Sequence, residues 1–185
     1  MRVISGKFKY KLLYNPKDNR VRPTTDRVKE TLFNIVGSKD KINSVFVLDL
    51  FAGSGALGIE SLSRGACKVV FIDKDKDSFA LVQQNLKHVG ANPDEYEVYN
   101  VDYEFGLKKL KNKEFDLIFI DPPYSQHVEN RVLDLIKKYN VLAKDGLIVV
   151  EHDTKNTFND EDFVFDTRKC GSMSLSFLEY KGENN

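Results

Sequence analysis

The sequence predicts an α/β domain on a mostly parallel, seven-stranded sheet, with an antiparallel hairpin at its C-terminal end and a small β-rich extension at its start. Three observations carry this. From residue 45 onward, short apolar runs alternate with stretches of helical periodicity, the pattern of βαβ units. The run Phe115-Asp116-Leu117-Ile118-Phe119-Ile120 is nearly continuous in apolar side chains, as in a strand buried on both faces. The last two runs, 163–168 and 173–180, flank Cys170-Gly171-Ser172 with no helix between them, and so form a hairpin at the sheet edge.

Taken in order, residues 1–14 alternate basic and apolar side chains between positions 7 and 12, which predicts a strand pair with one wet, cationic face. Residues 15–19 have the composition of a turn. Pro23 disfavours helix at Arg22, and Thr25 is placed to cap a helix with Asp26 in its first turn. Val28, Leu32, Ile35 and Val36 supply that helix's apolar stripe, and Gly37 is its expected stop. Strands follow at 45–50, 68–72, 97–101, 115–120 and 146–150, with helices at 56–63, 76–89 and 128–139. Gly90 ends the second of those helices.

The chain has 185 residues, with 28 basic and 28 acidic side chains, so net charge excludes nothing. Its distribution is uneven: residues 1–30 carry nine Lys or Arg against three acids, a local charge of +6. A basic segment on an acidic body is the footprint of a polyanion-binding patch, here Arg2, Lys7, Lys9, Lys11, Arg20, Arg22 and Arg27. That sets residues 1–44 apart as a basic, polyanion-contacting extension and 45–185 as the α/β domain proper. Cys67 and Cys170 have neither the spacing nor the neighbouring histidines of a zinc site, and are expected to be buried thiols. No apolar run approaches a membrane span and no secretory signal opens the chain, so the expectation is a cytoplasmic protein.

Two motifs carry chemistry. After the first strand, Asp49-Leu50-Phe51-Ala52-Gly53-Ser54-Gly55-Ala56-Leu57-Gly58 satisfies G-x-G-x-x-G, with Asp73 closing the second strand. Read alone, this fits a nicotinamide enzyme equally well. Asp49 argues otherwise, because a carboxylate opposes a diphosphate on the following helix N-terminus and attracts an ammonium. S-adenosylmethionine brings an ammonium and a sulfonium and no phosphate. In that reading Asp49 faces the amino group, Ala52, Gly53, Ser54 and Gly55 let the backbone approach, and Asp73 takes the ribose hydroxyls. Asp102 takes the adenine amine, with Tyr103 beside it.

The second motif is Asp121-Pro122-Pro123-Tyr124. Two prolines remove the ladder N–H groups and force the chain out of the sheet as a stiff loop. The loop offers a carboxylate, free carbonyls and an aromatic face, which suit an exocyclic NH2 on a planar base. The bland alternative is a strand-ending turn with a capping aspartate. His127 and His152, at the ends of the fourth and fifth strands, are expected to be polar loop residues, and a part for them or for Glu151 in proton removal stays open.

These motifs resemble those of S-adenosylmethionine-dependent amino-methyltransferases. Arg2-Val-Ile-Ser-Gly6, Arg22-Pro-Thr-Thr-Asp-Arg27 with the following Val-Lys-Glu-Thr-Leu-Phe33, Ser63-Arg64-Gly65-Ala66 and Val149-Val150-Glu151 narrow the resemblance to the RsmD family. It implies a class I methyltransferase, Rossmann-like fold and transfer of a methyl group to guanine N2 of 16S ribosomal RNA. It further implies catalysis by the Asp121 to Tyr124 loop without a metal, and a monomer acting on RNA in a small-subunit particle or assembly intermediate. The chain departs from the family at Tyr10, where Gly is common, and in its acidic body. An adenine-N6 methyltransferase on DNA or RNA and a non-catalytic cofactor-binding RNA module remain alternatives.

Overall fold

The computed structural model describes residues 1–16, 26–123, 127–156 and 158–182. Thr25, Arg20, Arg22, Tyr124 and most of the 15–19 turn lie outside them. The elements are α1 (Asp26–Ser38), β1 (Phe46–Asp49), α2 (Ala56–Ser63), β2 (Lys68–Ile72), α3 (Lys76–Val89), β3 (Tyr96–Tyr99) and α4 (Tyr103–Lys109). Then come β4 (Phe115–Ile120), α5 (Glu129–Tyr139), β5 (Leu142–Asp153), β6 (Phe163–Cys170) and β7 (Met173–Tyr180). The sheet order is β3-β2-β1-β4-β5-β7-β6, with β7 antiparallel to both neighbours and the other pairs parallel.

The two-residue period of the strands divides the core in two. Val47, Val69, Phe71, Leu117, Phe119 and Val149 face α1, α2 and α3. Leu48, Val70, Ile72, Ile118, Ile120 and Val150 face α4 and α5. Strand order reverses direction between β1 and β4, and the crevice beyond the C-terminal ends at such a point is where open α/β sheets bind ligands.

The N-terminal expectation needs correction. Arg2 and Leu12 form a single antiparallel bridge, and the stretch between them is a succession of turns rather than a continued strand. Gly6 and Tyr10 both take positive φ, 83° and 72°, and N–H bonds from Lys9 to Gly6 and from Lys11 to Phe8 close the turns. Phe8 and Leu13 consequently enter the core with Val3, while Tyr10 and Leu12 stay outside. Left-handed backbone costs a non-glycine residue about 1–2 kcal/mol. Tyr10→Gly is therefore expected to stabilise the fold by up to about 1 kcal/mol, after the entropy of the extra glycine is deducted, as read from urea unfolding.

Cys67 is exposed and Cys170 half-buried, so neither is the buried thiol expected from composition. Cys67 lies beyond α2, where its Sγ donates to the Val45 carbonyl at the outer end of the sheet. Among the described residues, no helix is long and apolar enough to cross a membrane.

Candidate active site

Strand register lines up a rank of carboxylates. Asp49 on β1 pairs with Phe71 of β2 on one side and Phe119 of β4 on the other, and Phe119 pairs with Val149 of β5. Two residues further along each neighbour, on the same face of the sheet, stand Asp73, Asp121 and Glu151. The strand period thus sets four acids on one face at the C-terminal rim.

Asp49 is enclosed: burial first, then the nearby charge of Asp73, pushes its carboxyl up to about 7, against the pull of the Gly58 N–H that donates to it at 3.0 Å. Asp73 is also raised by burial, although the N–H groups of Asp75 and Gly53 donate to it at 2.9 and 2.8 Å. Asp121 is raised well above the ordinary carboxylate range by burial, by Glu151 and by Asp49. Acids made costly to ionise by burial and by one another are complementary to a cation. They are unsuited to a diphosphate.

The folded value of Asp49 lies above its ordinary value near 4, so the folded protein keeps a proton that the unfolded chain has lost. Stability contributed in this way falls as pH rises from about 4 to about 7. The free protein is expected to melt at a higher temperature at about pH 5.5 than at about pH 8. Asp49→Asn, which keeps an acceptor for the Gly58 N–H, should shrink that difference in a calorimetric scan. An unchanged difference would show that Asp49 does not carry it.

The glycine turn between Asp49 and α2 is built for close approach. Gly55 caps α2 at φ 78°, ψ 15°, and its N–H closes the turn on the Ala52 carbonyl at 2.7 Å. A Cβ on Gly58 would lie 2.2 Å from the Phe71 ring, so the third glycine of the motif seats α2 against β2. Asn85 of α3 donates to the Ser54 carbonyl at 2.8 Å and holds the turn from behind.

Across the cleft, Asp102 caps α4 by accepting the Phe105 N–H at 2.9 Å, and Tyr103 packs its ring 5.4 Å from Phe51. Phe51 was not singled out from the sequence. Its signal was an aromatic residue directly before the glycine turn. Pro122 is buried and Pro123 exposed, so the loop leaves β4 toward the rim as the paired prolines require. His152 points away from the acids: its Nε2 meets Ser176 Oγ at 2.9 Å and its ring packs on Phe158, on the α5 side of the sheet.

The basic N-terminal residues are partly engaged. Arg2 pairs with Asp26 at 3.1 Å and Lys7 with Glu95 at 2.6 Å, while Lys11 donates to the Val89 carbonyl at the end of α3. Lys9 lies over the Tyr10 ring. What sequence reasoning missed is how this segment is fastened. Glu60, buried on α2, accepts the Ile4 and Ser5 N–H groups at 2.8 and 3.0 Å and pairs with Lys29 at 3.1 Å and Arg64 at 2.8 Å. Lys29 is buried too, and burial lowers its pKa against the opposing pull of Glu60. Gly6 lies so close to α2 that a Cβ there would sit 1.7 Å from the Ser63 carbonyl oxygen. The motifs at 2–6 and 63–66 are thus two sides of one joint.

A parallel sheet that switches direction at a glycine turn, ends in a reversed β7 and carries acids along its C-terminal rim defines a class I methyltransferase fold. The family model described as "Conserved hypothetical protein 95" matches residues 1–179, and the chain belongs to that family, the RsmD family that its motifs resemble. YlbH of Bacillus subtilis is 43% identical over 155 residues, covering 83% of each chain. Ribosomal RNA small subunit methyltransferase D of Haemophilus influenzae is 38% identical over 152 residues, 82% of this chain and 78% of that one. The solved structure of yhhF from Escherichia coli superimposes with a TM-score of 0.86 at 30% identity, covering 98% of both chains.

Proposed function

We propose that this protein transfers a methyl group from S-adenosylmethionine to the exocyclic N2 of a guanine in small-subunit (16S) ribosomal RNA. The observation that carries the reading is the placement of Asp121 and Pro122 at the end of β4, on the switch-point rim beside Asp49 and the glycine turn. Relatives at 34–38% identity over most of the chain bear the name Ribosomal RNA small subunit methyltransferase D, which supports the substrate class.

The residues present fit the cofactor. Asp49, raised to about 7, gains a partner when an ammonium binds, Asp73 faces the ribose, and Phe51 and Tyr103 form an apolar wall for a flat ring. Bound there, S-adenosylmethionine supplies the methyl group as a sulfonium substituent. The chain's own part is to hold the acceptor. A guanine amine is a weak nucleophile because its lone pair is delocalised into the ring. Accepting its two N–H bonds on the Asp121 carboxylate and the Pro122 carbonyl favours a pyramidal nitrogen with the lone pair aimed across the cleft. Orientation of this kind is worth about 7–11 kcal/mol in well-aligned reactions. The Asp121 carboxylate also stabilises the positive charge that develops on nitrogen.

Tyr124 supplies the stacking face that its motif implies, and the base must be unstacked to reach it. Lys7, Lys9 and Lys11, with Arg2, Arg20, Arg22 and Arg27, hold phosphates, which makes binding strongly salt-dependent. The protein acts as a monomer on a particle or assembly intermediate in the cytoplasm, with residues 1–44 as the RNA-contacting part. The test is methylation of RNA and small-subunit particles with labelled cofactor, followed by mass spectrometry of nucleosides. N2-methylguanosine is the expected product, and N6-methyladenosine would move the reading to the adenine alternative.

A further inference from the structure

Three of the six large apolar side chains left exposed among the described residues, Tyr10, Leu12 and Tyr14, stand at alternate positions of one short stretch. Its backbone is fixed. The Tyr10 N–H donates to the Val3 carbonyl and the Leu13 N–H to the Met1 carbonyl, both at 2.9 Å, and Leu13 is buried between its two exposed neighbours. Asn85 grips Tyr14 from both sides, accepting its N–H at 2.8 Å and donating to its carbonyl at 3.1 Å. Tyr10 is 70% exposed and holds a left-handed φ of 72°. A tyrosine kept in a conformation that favours glycine, with its ring turned to solvent, adds nothing to the core, and an outlier of this kind points to function.

We propose that Tyr10 and Tyr14, with Leu12 between them, form a stacking track for the bases of an unpaired RNA strand. This rests on RNA being the substrate. Stacking needs flat faces on a rigid support, beside charges that meet the phosphates, and the stretch has both. Lys9 Nζ lies 4.8 Å from the Tyr10 ring centroid, and the Tyr14 ring meets His88 at 4.9 Å. Lys11 donates to the Val89 carbonyl at the end of α3, whose last turn carries Lys87 and His88. Residues 1–16 hold four basic side chains and no acid. Among the described residues, the acids paired with those side chains are Asp26, on Arg2, and Glu95, on Lys7. An apolar protein partner would gain from the rings and lose the hydration of the lysines beside them. A nucleic acid uses both.

The track also ends at the site. The Asn85 amide that holds Tyr14 donates to the Ser54 carbonyl of the glycine turn at 2.8 Å, and Asn85 is fully buried between the two. A strand stacked on Tyr10 and Tyr14 therefore reaches the rim with its bases already unpaired, as transfer to a base amine requires.

The chain has no tryptophan, so Tyr10→Trp places a unique fluorescent ring on the track. A short unpaired RNA is expected to quench it, and the same sequence as a duplex, with its base faces hidden, to quench it far less. Heparin, a polyanion without bases, should leave it bright. Tyr10→Gly and Tyr10→Asn, which both accept the left-handed backbone, should bind the unpaired RNA about 5- to 100-fold more weakly than the wild type, with the salt dependence of binding unchanged. The urea midpoint, expected to hold or rise, separates this from misfolding. Full affinity in both variants, or equal quenching by duplex or heparin, overturns the proposal. So does loss of binding to small-subunit particles with RNA affinity intact, which would make the track a protein-docking face. A wild type that binds no RNA overturns the substrate reading and the track together. Weakened variants of a wild type that makes no N2-methylguanosine would overturn the methyl-transfer reading and leave the track standing.

Discussion

Asp121→Ala is expected to lower methyl transfer by about 10³-fold or more while S-adenosylmethionine binds within a few-fold of the wild type. Alanine leaves Pro122 and Pro123 to shape the corner, so the loop should persist. What is lost is the acceptor that orients the amine and the charge that answers the developing cation. The proposed anchors for the cofactor, Asp49, Asp73 and the glycine turn, lie at and beyond the ends of β1 and β2, and the Gly58–Asp49 and Gly53–Asp73 bonds do not involve Asp121. Thermal stability should hold or rise, because one source of repulsion on Asp49 disappears. Asp121→Asn, which keeps an acceptor oxygen without the charge, should fall between the two. Single-turnover rates with saturating cofactor make the measurement, and an alanine variant active at the wild-type rate would remove Asp121 from the chemistry.

Glu60→Ala is expected to destabilise the protein by about 3–5 kcal/mol, the loss typical of a buried pair stripped of one partner. The variant leaves Lys29 in the core without its carboxylate partner and removes the acceptor for the Ile4 and Ser5 N–H groups. At roughly 2–4 °C for each kcal/mol in a domain of this size, the melting temperature should fall by about 10 °C. A drop of only a degree or two would show that the joint is held by apolar contacts alone. The N-terminal segment should loosen before the sheet, because Val3 enters the core beside this joint, between the Arg2 carbonyl that Lys29 holds and the Ile4 N–H that Glu60 accepts. Hydrogen exchange at Ile4 and Ser5 reads that directly.

The elements legible in the sequence are those whose pattern is local. α2, β2, α3, β4 and β7 fall on the expected residues, because each has a complete apolar period and a recognisable end such as Gly90 at φ 71°. Helix α4 was missed: it is seven residues long, has Gly106 in its middle, and its visible signal, Asp102, was read as a ligand before it was read as a cap. Strand β5 runs on to Asp153 because Glu151, His152 and Asp153 pair with Leu175, Ser174 and Met173 of β7. Polar side chains in that extension hid it from an apolar count.

The aspartates of the site were legible for a similar reason: each follows a strand that announces itself, and a two-residue period says which face it takes. Their effect on one another was not legible. It depends on register between β2, β1, β4 and β5, which no single stretch of chain encodes. The Lys29–Glu60 joint shows the same division. Helical periodicity and a formal charge are properties of neighbours in sequence, whereas the energy of a charge depends on what surrounds it, and here each partner is buried by residues from distant segments that meet only when the chain closes on itself.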